Sequence, residues 1–227
     1  MPSYVYVYDS VSMSMPMSSS MSTSTSHCVD FGETDVSRFS VVCGAHDILD
    51  KLDSNAQTAV AAEITKHTDY DANANGFPND IALIRLATPL TLNSRCQAAN
   101  LPASNSKDYA NKNSYITGWG RKVGGGPVAT LLKQAAINTL SHSDCRIRWG
   151  IFFSPIRTTH ICVFDASGYH GSCNGDSGGP LYSPDTDTGL LTVTGLTSFG
   201  SSGCDTAYPS VYTRVSSYLS WIAANSS

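Results

Sequence analysis

The chain contains 227 residues, of which 14% are charged, and its formal net charge is −4. This length suits one large domain or two small barrels, and either can bury a hydrophobic core. The negative charge argues against a nucleic-acid or anionic-membrane partner, because both attract basic surfaces. No apolar run reaches the roughly 18 residues of a membrane helix. We therefore expect a globular protein without a nucleic-acid or membrane partner.

The first 26 residues differ in composition from the rest of the chain. All five methionines lie between Met1 and Met21, and residues 10–26 consist almost entirely of Ser, Met and Thr. Such a tract has little apolar bulk with which to fold, so we expect residues 1–26 to form a disordered tail. Tyr4–Tyr8 could form a short strand, although nothing indicates its partner. No basic segment followed by an apolar stretch marks a signal peptide.

Short β-rich runs alternate with turn-forming residues through the rest of the chain, which predicts an all-β fold. The predicted strands are Phe39–Gly44, Ala59–Lys66, Ile81–Leu86, Ser114–Gly118, Ile161–Phe164 and Leu190–Phe199. One helix is predicted over residues 215–224, because five apolar residues there fall on a single helical stripe. The stripe comprises Val215, Tyr218, Leu219, Ile222 and Ala223.

Residues 172–180, with the sequence Ser-Cys-Asn-Gly-Asp-Ser-Gly-Gly-Pro, are typical of a loop built around a nucleophilic serine. Gly175 can adopt a backbone conformation that directs its N–H at a developing oxyanion, and Ser177 supplies a second N–H. Asp176 places a carboxylate beside the serine, where it must be paired if it is buried. A glycine-rich surface turn is the alternative, but the length of the run argues against it. The run therefore predicts Ser177 as a nucleophile.

This run closely resembles the active-site loop of the trypsin/chymotrypsin family of serine endopeptidases, in which a histidine and then an aspartate precede the serine. The sequence Asn-Asp-Ile-Ala-Leu-Ile-Arg-Leu at residues 79–86 resembles the aspartate segment of that family. Read alone, an Asp before a strand is usually a turn or cap residue. The order of the motifs instead favours Asp80 as the acid of a catalytic triad. The resemblance implies that Asp80 orients the histidine, assisted by a hydrogen bond from Ser198.

The histidine motif is the least regular of the three. His27-Cys28-Val29 resembles the His-Cys-Val segment of the family, and residues 39–48 continue the resemblance. The preceding Ser24-Thr25-Ser26 departs from the family's Thr-Ala-Ala, so a chance histidine in a polar tail is the alternative. The resemblance implies His27 as the general base. The other histidines are expected at surface or loop positions: His46, His67, His142, His160 and His170.

The resemblance also implies an architecture of two antiparallel β-barrels with the active site between them, closed by a C-terminal helix. In this chain it covers a domain over residues 27–224, with a partial first barrel over 27–102, a second barrel over 103–214 and the helix over 215–224. We expect the first barrel to be incomplete, because the strands that family members carry before the histidine are not evident.

The segment that is missing before the histidine also matters for activation of the enzyme. Family members carry the sequence Ile/Val-Val-Gly-Gly, and zymogen cleavage frees its α-ammonium to pair with the aspartate beside the nucleophile. This sequence does not occur in the chain, so Asp176 has no evident partner, and a buried unpaired carboxylate is costly. We interpret the chain as an incomplete or mis-spliced product of a protease gene, with little activity as it stands. A catalytically inactive, protease-like binding protein is the alternative.

Substrate preference follows from the residues that the resemblance places around the pocket. Gly171 forms the floor and Ser210 lies on the far wall, whereas a preference for Lys or Arg would need a carboxylate there. Gly200 leaves the mouth open, and an open, uncharged pocket suits Leu, Met, Phe or Tyr before the cut. The backbone of residues 198–200 is expected to pair with the substrate as an added strand. A core residue is the alternative role for Phe199.

Seven cysteines are an odd number for a secreted domain. The resemblance implies the disulfides Cys145–Cys162 and Cys173–Cys204. The partners of Cys28, Cys43 and Cys96 stay open, and at least one of the three must be left over. All three could also be small buried hydrophobic residues.

The partners of the protein follow from the same resemblance. It implies a polypeptide substrate, and it makes protein protease inhibitors candidate partners. It also implies a secreted protein that acts as a monomer, without a metal or another cofactor.

Overall fold

The structure is a computed structural model in which part of the chain is described. The described segments are residues 3–6 (backbone only), 20–29, 35–50, 53, 56–150 and 154–226. Most of the predicted tail, residues 1–2 and 7–19, lies outside these segments. The prediction of disorder for those residues therefore stays a prediction.

The N-terminal part of the chain forms a five-stranded sheet. Its strands are β1 (Ser3–Tyr6), β2 (Met21–Ser24), β3 (Phe39–Cys43), β4 (Gln57–Lys66) and β5 (Ala82–Leu86). They lie in the spatial order β1-β3-β4-β5-β2, with β1 parallel to β3 and the other neighbours antiparallel. Within the described segments this sheet is open, which confirms the prediction of an incomplete first barrel.

Two parts of the predicted tail belong to this sheet, so the prediction of disorder is wrong for them. The pairing of β1 with β3 gives the possible tyrosine-rich strand a partner. β2 pairs with the edge of β5, where an apolar strand offers backbone N–H and C=O groups that need partners. Ser22 and Ser24 are buried in this pairing. Backbone hydrogen bonding to β5 therefore orders a segment whose side chains are too polar to form a core.

The second sheet is a closed barrel, as predicted. Its strands are β6 (Asn113–Gly118), β7 (Lys133–Thr139), β8 (His160–Phe164), β9 (Pro180–Pro184), β10 (Leu191–Phe199) and β11 (Ser210–Arg214). They lie in the order β10-β11-β8-β7-β6-β9, and all neighbours are antiparallel. The barrel core is formed mainly by Ile116, Ile137, Ile161, Val163, Leu181 and Tyr212.

One apolar cluster joins the open sheet to the barrel. Ile81 and Leu83, at the start of β5, pack with Val193 and Leu196 of β10. All four side chains are buried, and burial of an aliphatic side chain contributes about 1.5–3 kcal/mol. The residue before Ile81 therefore lies at a firmly packed junction between the two β-units.

The described part of the chain contains two short α-helices, α1 (His142–Arg148) and α2 (Leu219–Asn225). A 3₁₀ turn over Val215–Tyr218 precedes α2, so the predicted C-terminal helix begins with a tighter turn. This change of helical phase leaves Ala223 of the predicted stripe exposed, whereas Ile222 is buried against the junction. None of the helices in the described segments has the length and hydrophobicity to cross a membrane.

Three disulfides connect six of the cysteines. Cys145–Cys162 and Cys173–Cys204 are the two pairs that the resemblance implies. The third is Cys43–Cys96, whose Cα atoms lie 5.5 Å apart. Cys28 is the free cysteine of the set.

This disulfide pattern predicts the outcome of thiol labelling. Iodoacetamide should alkylate only Cys28 in the denatured, non-reduced chain, because the other cysteines are oxidised. Peptide mass mapping checks the position, all seven cysteines should react after reduction, and a Cys28→Ser variant should remain unlabelled before reduction. Label on Cys43 or Cys96 before reduction would contradict the pairing.

Candidate active site

His27 and Asp80 form a hydrogen-bonded pair at the junction of the two β-units. Nδ1 of His27 lies 2.7 Å from Oδ2 of Asp80. The backbone N–H of His27 donates to Oδ1 of the same carboxylate at 2.9 Å. Asp80 is only 1% exposed. Because both carboxylate oxygens bind one residue, they fix both the position of its backbone and the direction of its imidazole.

The pairing of β2 with β5 brings this histidine to this aspartate. His27 lies in a 3₁₀ turn directly after β2, and Asp80 lies just before β5. Ser24 is opposite Ala82 in the register, so the end of β2 lies beside the start of β5. The hydroxyl of Ser26 adds a hydrogen bond of 2.7 Å to the carbonyl of Ile81. The predicted tail therefore positions the histidine.

The barrel supplies two further hydrogen bonds to Asp80. Ser198 Oγ donates to Oδ2 at 2.6 Å, as the resemblance implies. Thr213 Oγ1 donates to the backbone carbonyl of Asp80 at 2.7 Å. The sequence does not indicate this contact of Thr213, because a threonine within a strand carries no distinguishing pattern. Together the two bonds tie the aspartate to β10 and β11.

The environment of His27 favours its charged form. Burial lowers the pKa of the imidazole, but hydrogen bonds with the Asp80 carboxylate and with the Cys28 thiol outweigh burial and raise the pKa to about 10. The Cys28 sulfur lies 3.7 Å from Nε2 of His27. The buried carboxylate thus stabilises an imidazolium, which is the state that a general base reaches after accepting a proton.

The loop of Ser177 lies against the histidine segment. The side chain of Ser177 is exposed. Gly178 has a φ of +75°, and a Cβ at this position would lie 3.3 Å from the sulfur of Cys28. Only glycine suits this conformation and this close approach. Among the described residues, Ser177 Oγ makes no hydrogen bond to His27 Nε2, and such bonds are often long before substrate binds.

Gly175, one of the two predicted oxyanion-hole residues, has a positive φ and a peptide whose orientation can be determined. Gly175 has a φ of +98°. The carbonyl of Asn174 accepts the N–H of Arg121 at 2.9 Å. Because N–H and C=O point in opposite directions across a trans peptide, the N–H of Gly175 points away from Arg121. No hydrogen bond within the described segments uses the N–H of Gly175 or of Ser177.

Asp176 has partners, contrary to the prediction that none would be evident. Its carboxylate accepts the N–H of Gly120 at 2.8 Å and that of Cys173 at 2.9 Å. Burial raises its pKa, and these two N–H donors offset only part of the effect. Gly118 and Gly120 leave the space that the carboxylate fills, since a Cβ at either would collide with it. The described partners are dipoles rather than a cation.

A cavity of about 300 Å³ opens beside Asp176. Its lining includes Asp176, Ile116 of β6 and residues 169–173 of the loop before the nucleophile. Asp176 is the one acidic residue of this lining, which also contains three basic residues, Arg121, Lys122 and Lys133.

The predicted pocket residues Gly171 and Ser210 lie close together. A Cβ at Gly171 would be 3.3 Å from Ser210 Oγ, which also accepts the N–H of Ser172 at 3.1 Å. A Cβ at Gly200 would meet no atom within 4 Å, so this position is open.

Phe199 belongs to an aromatic cluster that the sequence does not predict. Its ring centroid lies 5.6 Å from Phe77, 5.8 Å from Trp149 and 5.5 Å from His160. His160 is buried, which corrects its expected surface position, and burial lowers its pKa to about 4. Phe199 therefore packs against other rings while its neighbour Gly200 stays open.

Comparison with known proteins agrees with this geometry. A family model described as Trypsin matches residues 17–222, a range that includes β2. The chain is 41% identical to fibrinolytic enzyme, isozyme C of Lumbricus rubellus over 203 residues, covering 88% of the chain and 82% of that protein. It is 39% identical to chymotrypsin-like elastase family member 1 of Bos taurus over 201 residues (87% and 71%). It is 44% identical to chymotrypsin-C of Mus musculus over 147 residues (63% and 53%).

The Asp80–His27 contact predicts a shift in imidazole titration. In Asp80→Asn, the pKa of His27 should fall well below about 10, because the carboxylate no longer opposes burial and only the Cys28 thiol still raises the pKa. Since folding raises this pKa, the stabilisation from the pair is present below pH 6.5 and is lost as the pH rises through about 10. NMR titration of the His27 ring protons measures the shift.

The matched control for this titration is Asp187→Asn, which removes an exposed carboxylate paired with Lys107. It should leave the His27 titration unchanged. Equal titration curves for His27 in Asp80→Asn and in the unaltered chain would contradict the role assigned to this contact.

Proposed function

Because the chain belongs to the trypsin family of serine proteases, we propose that it is a serine endopeptidase with a triad of His27, Asp80 and Ser177. The observation that supports this most strongly is the buried Asp80 carboxylate, which lies 2.7 Å from Nδ1 of His27. This contact occupies Nδ1, so Nε2, which lies 3.7 Å from the Cys28 sulfur, is the ring nitrogen proposed to accept the proton when the imidazole is neutral. The loop of Ser177 packs against the same segment.

In the proposed mechanism Ser177 Oγ attacks the scissile carbonyl while Nε2 of His27 takes its proton. The imidazolium then gives that proton to the leaving amine, which departs and leaves an acyl group on Ser177. Water, deprotonated by the same nitrogen, hydrolyses this ester and restores the serine. Asp80 keeps its charge throughout and stabilises the imidazolium.

The N–H groups of Gly175 and Ser177 are proposed to bind the oxyanion of each tetrahedral intermediate. The positive φ of Gly175 and the orientation of the Asn174 peptide support this role. Losing one such donor typically raises the barrier by about 3–4 kcal/mol.

Asp176 is proposed as the activation residue. Its pKa is raised by burial, and the cavity beside it has room for an apolar N-terminal residue with its α-ammonium. A cation there would pair with the carboxylate and order the loop that holds Gly175. The protein is further proposed to act outside the cell, where its three disulfides persist.

The substrate pocket is proposed to accept medium to large apolar side chains. Gly171 and Ser210 give it a neutral, slightly polar floor, and the open position at Gly200 admits a bulky group. The substrate backbone would lie along residues 198–200, beside the aromatic cluster of Phe199.

Covalent labelling tests the proposed nucleophile. A fluorophosphonate probe should modify Ser177 in the purified chain when a short peptide beginning Ile-Val supplies an α-ammonium to Asp176. Mass mapping locates the adduct. Ser177→Ala should abolish labelling, and Asp176→Asn should remove the effect of the peptide, since the ammonium then has no anion to pair with. An unlabelled Ser177 in a folded chain with the peptide present would refute the proposal.

Peptide amides test the proposed specificity. The kcat/KM for Phe or Leu before the cut should exceed that for Arg or Lys by at least about tenfold. Gly171→Asp should reverse part of this preference, because a carboxylate on the floor pairs with a cation. Gly171→Asn has the same shape without the charge and should not admit basic residues. Preference for Arg by the unaltered protein would contradict the pocket assignment.

A further inference from the structure

A carboxylate just after β8 organises the loop that leads to the pocket floor. Asp165 Oδ1 accepts the N–H of Ser167 at 2.9 Å. Oδ2 accepts the N–H of Tyr169 at 3.2 Å and the N–H of His170 at 3.0 Å. Nδ1 of the His170 ring lies 2.7 Å from the same oxygen. One side chain therefore binds three of the five residues between Asp165 and the floor at Gly171: Ser167, Tyr169 and His170.

The opposite side of this loop is attached to the far wall of the pocket. Thr206 Oγ1 donates to the carbonyl of Gly168 at 2.8 Å. Ser210 Oγ accepts the N–H of Ser172 at 3.1 Å. Gly171 thus lies between two anchors, the Asp165–His170 contact before it and Ser210 beyond it. A change at either anchor would move the floor.

The first anchor is built on a carboxylate that several hydrogen-bond donors stabilise. Hydrogen bonds from Ser167, and further ones from His170 and Tyr169, hold the pKa of Asp165 far below its usual range. The side chains of His170 and Asp165 are 49% and 16% exposed. Exposed ion pairs add little to stability, so the contact matters for the position of the loop rather than for the stability of the fold.

We propose that Asp165 and His170 form a positioning pair that sets the depth of the substrate pocket by holding Gly171 in place. The pair affects the substrate only by positioning Gly171, and it contacts neither the reacting atoms nor His27. This inference rests on the proposed protease function.

The pair should affect long and short substrate side chains differently. A Phe side chain reaches the floor in both the bound substrate and the transition state, whereas an Ala side chain does not reach it. In His170→Leu, KM for Phe substrates should rise about fivefold or more, while kcat stays within about twofold. The reason is that the variant loses binding energy that the bound substrate and the transition state share equally. Kinetics with Ala substrates should be unchanged.

Two conservative variants separate positioning from general damage. In His170→Asn, the side-chain N–H₂ occupies the place of Nδ1 and can donate to Asp165, so KM for Phe substrates should return close to that of the unaltered protein. In His170→Gln, the amide lies one bond too far and should behave like His170→Leu. Thermal unfolding of the three variants should agree closely, since the contact is exposed.

The outcomes distinguish this inference from the proposed function. His170 also lines the cavity proposed for the activating peptide, so labelling of Ser177 is compared at saturating peptide and should then persist in every His170 variant. If the unaltered protein is labelled and active, unchanged KM in His170→Leu overturns the positioning pair. Equal KM in His170→Asn and His170→Gln, or equal losses for Phe and Ala substrates, would overturn it as well. Failure of the unaltered protein to label would instead refute the proposed function.

Discussion

The buried carboxylate of Asp80 is the constraint on which the rest of this structure depends. A charge that is 1% exposed is tolerated only when its oxygens are satisfied, and the donors come from His27 on one side and Ser198 on the other. The junction of Ile81 and Leu83 with the barrel excludes water around it. Satisfying one anion therefore fixes the relative position of the histidine segment and the barrel wall.

Edge pairing explains how a polar segment reaches such a position. β2 contributes backbone hydrogen bonds along β5, and Ser26 binds the carbonyl that follows Asp80 in the chain. Few apolar side chains are needed, since the surrounding core is supplied by β5 and the barrel. β2 is therefore ordered by its pairing with β5, and its amino-acid composition alone does not predict that order. Asp176 shows a related principle, since two backbone N–H groups are the hydrogen-bond partners described for this buried acid.

Much of the fold and of the candidate site could be predicted, because short stretches of sequence indicate the strands and the loop of Ser177. Alternating apolar strands and the run around Ser177 indicated the β class and the loop, and Asp80 preceded a strongly apolar strand. β7 was missed because Lys133–Thr139 contains one large apolar residue and becomes a strand through its neighbours β6 and β8. β9 was not predicted because it begins and ends with a proline, Pro180 and Pro184. Proline is rare inside strands and is usually read as a turn residue. The Cys43–Cys96 bond depends on tertiary proximity, which spacing alone does not encode. The Asp165–His170 contact is local, but it depends on how its loop folds.

The central claim is that His27 and Ser177 act as one catalytic unit, and a double-variant kinetic cycle tests it most directly. The kcat of the activated protein would be compared with those of His27→Ala, Ser177→Ala and the double variant. Residues that act as a unit are strongly non-additive, so each single variant should lose about as much activity as the double variant. Losses that multiply in the double variant would show that the two residues act independently and would contradict the account.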